Sequence, residues 1–99
     1  MQTTTPPPLV VTRHPALVAL LRERGVIGHE VDVRDHVGAE DVRGRHVIGI
    51  LPLHLAAVAS SVTVVDLALA PADRGVEISL ERLREIAGPA TRYRVTVEG

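Results

Sequence analysis

A chain of 99 residues with a formal net charge of −1 and no cysteine has room for one domain with a modest core. Its near-neutral charge excludes a general basic coat for duplex DNA, and the missing thiols exclude disulfides and thiolate metal sites. Phe and Trp are absent and Tyr93 is the only aromatic, so the core must be aliphatic and the usual stacking platforms for single strands are missing.

Residues 1–8, with three Thr and three Pro, read as a stiff, flexible-ended polar tail, because proline cannot donate to a sheet. The domain proper is expected over residues 9–99. Leu9–Thr12 is the first strand. Pro15–Arg24 is the first helix: Leu17, Leu20 and Leu21 share a face, and Gly25 is its expected stop. Glu30–Arg34 alternates apolar and charged residues, which marks an edge or half-exposed strand. Val37–Gly44 is a polar link with room for at most a helical turn.

His46–Leu51 is a continuous apolar strand and should be central. Pro52 opens a second helix, Leu53 to about Ser60. Val62–Leu69 is the fourth strand. Pro71–Gly75 is a turn, in which Asp73 and Arg74 form an internal ion pair. Ser79 caps a third helix running to Ala87, with Ile78 and Leu83 as a hydrophobic staple. Gly88–Pro89 ends it, and Arg92–Val97 is a last alternating strand. The strand–helix alternation predicts an α/β fold: an open, mostly parallel five-stranded sheet with helices on its faces. No apolar run approaches the roughly 20 residues that span a bilayer, and no signal-peptide pattern is visible. A cytoplasmic protein is expected.

In open α/β sheets, ligands gather beyond the C-terminal ends of the strands. Two junctions lie there: Thr12-Arg13-His14-Pro15 and Leu51-Pro52-Leu53-His54. Each sets a Pro at a helix start, where its missing N–H costs nothing, and a His beside it. A helix N-terminus suits an anion, Arg is a permanently charged fork, and His carries protons near neutral pH. If the first and third strands are neighbours, both histidines face one crevice.

Each residue also has a bland reading. Arg13 is either a phosphate ligand or a solvated strand end. His14 is an acid–base group or only a cap. His54 is a ligand or a satisfied core imidazole. Thr12 contacts a ligand or binds local backbone. Asp66, inside an apolar strand, is edge-exposed or holds an arginine or a ligand hydroxyl. Arg74 follows the fourth strand and can reach the same crevice.

His29, His36 and His46 read as surface residues. Ser60 and Ser61 have no evident base and read as a helix stop. No histidine pair has zinc spacing, so neither a metal nor a cofactor is expected. All eleven basic side chains are Arg. That reflects either genome composition or phosphate recognition at particular positions.

At Val11-Thr12-Arg13-His14-Pro15 and Val47-Ile48-Gly49-Ile50-Leu51-Pro52-Leu53-His54-Leu55-Ala56-Ala57, the chain resembles a family of small CRISPR-associated proteins. They accompany type III systems and include ring nucleases, which degrade cyclic oligoadenylate messengers. The resemblance runs from about Leu9 to Gly88 and is loose over Asp66–Arg74. It implies a Rossmann-like, CARF-related fold, a homodimer with its two-fold axis through the site, and cyclic tetra-adenylate as ligand.

Arg13, His14 and His54 would be catalytic in a metal-independent attack of a ribose 2′-hydroxyl on its own phosphate. Thr12, Pro52, Leu53, Asp66 and Arg74 would line the ligand site. The alternatives are a sponge or sensor that binds the messenger without cutting it, and a small α/β interaction subunit. The latter should show a large apolar patch, which no aromatic or Met cluster suggests.

Overall fold

A computed structural model describes residues 7–98. The elements are β1 (Leu9–Val11), α1 (Pro15–Glu23), β2 (Asp32–Arg34), α2 (Ala39–Val42), β3 (His46–Gly49), α3 (Leu53–Ala56), β4 (Ser61–Leu67), α4 (Leu80–Ile86) and β5 (Ala87–Tyr93). A single 3₁₀ turn, Pro71–Asp73, precedes α4. The strands form one five-stranded sheet in the order β2-β1-β3-β4-β5. All neighbours are parallel except β4 and β5. The expected α/β architecture is therefore present, with the alternating second strand at one edge and the last strand at the other.

Strand pleating sends alternate side chains to opposite faces, and the core divides accordingly. Val10, Ile48 and Val65 pack under α1 and α4 with Leu17, Leu20, Leu21, Leu83 and Ile86. Leu9, Val47 and Val62 pack on the other face with Val42 of α2 and Leu55 and Ala56 of α3. Two-sided burial explains why the central strands read as unbroken apolar runs.

Local signals set the helix ends. Gly25, with φ of 73°, lets Val26 N–H reach the Leu21 carbonyl at 2.9 Å and Gly25 N–H the Arg22 carbonyl at 3.1 Å, a Schellman stop for α1. Ser79 Oγ accepts the Arg82 N–H at 3.1 Å, and Ile78 and Leu83 are buried together as the staple. The Val37–Gly44 link holds one helical turn, α2. There the Asp41 carboxylate accepts the Gly38 N–H at 2.7 Å. This bond holds the Asp41 carboxyl below its ordinary range.

Several expectations are corrected. The helix after β3 is one turn, not eight residues, because Ser60 N–H turns back to the Arg45 carbonyl at 2.8 Å and starts β4. The last strand begins at Ala87, so Gly88 and Pro89 lie inside it. The register slips between Val65 and Leu67, where Gly88 and Pro89 of β5 face Asp66 alone on β4, and a bulge on an edge strand tolerates Gly and Pro. Asp73 pairs with Arg82 at 2.9 Å rather than with Arg74. Of the expected tail, Pro7 and Pro8 are tied to the fold: their carbonyls accept from the Arg45 guanidinium at 2.7 Å and the Asp32 N–H at 3.1 Å. The rest of the tail lies outside the described residues.

Gly49 sets how closely β1 and β3 end. Its φ is 137°, and a Cβ built there would overlap the Val11 carbonyl oxygen. Gly49→Ala should therefore destabilise by about 3 kcal/mol. Gly25→Ala meets nothing and should cost about 1 kcal/mol for its positive φ alone. Urea unfolding of both variants checks the difference.

Candidate functional site

β1 and β3 pair in parallel, with Val11 opposite Gly49. The junctions Thr12–Pro15 and Ile50–His54 therefore leave the sheet side by side. The strand order reverses there: the chain passes from β1 through α1 to β2 on one side, and the rest of the sheet builds outward from β3. This is the topological switch point, where α/β sheets open a crevice.

The first junction is tightly organised. Thr12 continues the ladder, its N–H donating to the Arg34 carbonyl at 2.9 Å. Its hydroxyl accepts the His14 N–H at 3.0 Å, so the local backbone-binding reading of Thr12 holds. His14 is the N-cap residue of α1, but its imidazole makes no capping bond. The Leu17 N–H is taken by the His14 carbonyl at 2.9 Å. Pro15 has none to offer, so the backbone of the first turn has little left for an anion. Positive charge here comes from side chains instead.

Three cavities surround the switch point. The largest, about 880 Å³, is lined by Thr12, Arg13, Arg22, Arg34, Asp35 and His36 among others. A second of about 520 Å³ takes in His36, Pro52 and His54. A third of about 270 Å³ lies over the strand ends between His14, Gly49, Ile50 and Leu69. Arg13 borders the first and third cavities, His14 the third, and His54 the second. The two histidines thus lie on different sides of the crevice within one chain. The reason is geometric: α1 packs on one face of the sheet and α3 on the other.

Three residues not picked out from the sequence join the site. Arg22 lies seven residues after Pro15 and four after Val18 on the same stripe of α1, a spacing present in the sequence. Neither Arg13 nor Arg22 is in an ion pair among the described residues. Arg34 is held by Asp32 at 3.1 Å and Asp41 at 2.8 Å. His36 borders both the Arg13 and His54 cavities. Nothing local in the sequence points to it.

Leu53 is exposed beside Pro52 and His54. Asp66 is exposed on β4 opposite the Gly88–Pro89 bulge of β5, its Cβ close over Gly88; β4 is an interior strand, so the exposure comes from the bulge and not from a sheet edge. Arg74 is exposed, and neither it nor Asp66 lines these three cavities. Among the described residues, no group of three or more His, Asp or Glu is placed to hold a metal ion.

Large aliphatic side chains are exposed near the crevice. Ile50 is 77% exposed, Leu53 75% and Leu69 43%. Ile50 and Leu69 rim the His14 cavity, and Leu53 adjoins the His54 cavity through its chain neighbours.

His46 is not a free surface residue. It is half-buried at the opposite, N-terminal end of the strands. Nδ1 lies 2.6 Å from Ser61 Oγ and Nε2 3.1 Å from Thr63 Oγ1. Burial, with Arg92 nearby, holds its pKa below the ordinary 6.5. The unfolded chain therefore binds a proton near that pH that the folded one refuses, and stability should fall as pH drops below about 6.5. Chemical denaturation between pH 7 and 5 should show this loss. It should be smaller in Arg92→Leu, where the like charge is gone.

No helix is long and apolar enough to cross a membrane. No curated protein and no solved structure matches the chain. Residues 9–96 match the family described as "Putative CRISPR-associated protein (Cas_VVA1548)", a span that includes every element of the sheet and both junctions. The chain belongs to this CRISPR-associated family.

Proposed function

We propose that this protein is a ring nuclease of type III CRISPR signalling, binding and cutting cyclic tetra-adenylate as a two-fold dimer. The observation that carries the reading is the parallel pairing of β1 and β3, which sets Arg13–His14 and Pro52–His54 on either side of one crevice. Membership of a CRISPR-associated family supports it, as do Arg13 and Arg22 at the cavity of about 880 Å³, in no ion pair among the described residues.

The reaction needs no external nucleophile. The 2′-hydroxyl attacks the adjacent phosphorus, the bond to the 5′-oxygen breaks, and a 2′,3′-cyclic phosphate forms. Arg13 faces charge developing on the phosphate oxygens. One histidine takes the 2′-hydroxyl proton and another protonates the leaving oxygen. Within one chain His14 and His54 border different cavities, so the second copy is given a role. Seated on Ile50, Leu53 and Leu69, it covers aliphatic side chains that are otherwise wet and closes the mouths of both cavities.

The same separation of the histidines favours one second reading, a sponge that holds the messenger intact. Incubation of the purified protein with radiolabelled cyclic tetra-adenylate in EDTA separates the two. Linear products support the enzyme and retarded intact ligand the sponge. No interaction points to a plain interaction subunit. Arg13→Ala should slow cleavage by about tenfold or more, the scale of one lost anion-stabilising donor. An unchanged rate places the phosphate elsewhere. The double variant Ile50→Glu, Leu53→Glu should sediment as a folded monomer and lose cleavage. A dimer that survives these charges sits on another face.

A further inference from the structure

The polar cluster at the N-terminal end of the sheet lies away from the switch point, and the reading above leaves it unused. His46 is opposite Ser61 in the β3–β4 register, and Thr63 is opposite Arg92 in the β4–β5 register. Pleating sends His46, Ser61, Thr63 and Arg92 to one face. There Ser61 Oγ lies 2.6 Å from His46 Nδ1, His46 Nε2 lies 3.1 Å from Thr63 Oγ1, and Arg92 Nε donates to Ser61 Oγ at 3.2 Å. Thr63 is the one buried polar residue among the described residues. Ser61 also opens onto a cavity of about 490 Å³ lined by Ser60, Ser61, Arg92, Tyr93 and Arg94.

A hydroxyl within hydrogen-bond reach of an imidazole that a third group orients is the arrangement of an activated nucleophile. We infer that Ser61 is a nucleophile with His46 as its base, and that the adjoining cavity takes esters whose acyl group carries a negative charge. With the imidazole proton on Nε2, His46 donates to Thr63, which keeps the ring oriented, and Nδ1 accepts from Ser61. Arg92 is a permanent donor to Ser61 Oγ and stabilises the oxygen as it loses its proton. Burial keeps the imidazole neutral at pH 7 and able to accept that proton.

In the reaction, Ser61 Oγ attacks the acyl carbon while its proton passes to His46 Nδ1. The bond to the leaving oxygen breaks, and that oxygen takes the proton from His46. Water then attacks the acyl-serine by the same proton route, releasing the acid and restoring Ser61. Arg92 and Arg94 face the acyl anion and the oxyanion.

The full chain treated with a fluorophosphonate probe should carry one adduct, mapped by peptide mass spectrometry to Ser61. Ser61→Ala should abolish it. His46→Gln, which keeps hydrogen bonding but not basicity, should slow it by about 100-fold. Para-nitrophenyl hemisuccinate should be cleaved about tenfold faster than the neutral acetate, from the added charged contact. A folded wild-type protein without a Ser61 adduct, an adduct on Ser60 instead, or labelling undiminished in His46→Gln overturns the nucleophile. Equal cleavage of the two esters overturns the anionic substrate class. None of these outcomes depends on the fate of cyclic tetra-adenylate.

Discussion

The close parallel approach of β1 to β3 is the constraint on which the molecule is arranged. Only a residue without a Cβ leaves room for the Val11 carbonyl oxygen at position 49. With glycine there the two strands stay paired to their last residues, and the chains leaving them start from the same height. They then part. From β1 the chain turns over one face into α1, and from β3 over the other into α3, because the apolar sides of those helices match different halves of the core. A crevice at that point follows from this parting, and so does the placement of His14 and His54 on opposite walls.

The arginines divide between architecture and recognition. Arg24 caps the start of β5 by donating to the Ala87 and Gly88 carbonyls. Arg34 and Arg45 are tied to Asp32, and Arg82 forks onto Asp73. These are uses for which a planar, always charged donor set is well suited. Among the described residues Arg13 and Arg22 make no such contact, and both border the cavity of about 880 Å³. An all-arginine basic composition therefore serves both the scaffold and the anion-binding side of the proposed function, at separate positions.

The two ends of the sheet are chemically unlike. At the C-terminal end, exposed guanidinium groups and imidazoles meet exposed aliphatic side chains. At the N-terminal end, hydroxyls and one half-buried imidazole are bonded in a closed network. A buried polar group is tolerated only when its partners are in place. The cluster there consequently depends on the β3–β4–β5 register as strictly as the crevice depends on β1–β3.

Much of the fold was legible in the residues. Aliphatic runs marked the central strands, alternation marked β2 as an edge, and Pro15, Gly25 and Ser79 marked helix ends through bonds that close within a few residues. The last strand was misread at Gly88 and Pro89, because local breakers are tolerated at a bulge that forms only when β5 meets Asp66 on β4. The roles of His36 and His46 were hidden for the same reason: their neighbours come from distant parts of the chain.

By itself the sequence determined which segments extend, coil and turn, since propensity, capping and hydrophobic period act over a turn or two of chain. The order of the strands and the face to which each junction exits were decided only in the tertiary structure. So were the partners of each histidine, since they depend on burying both sides of one sheet at once.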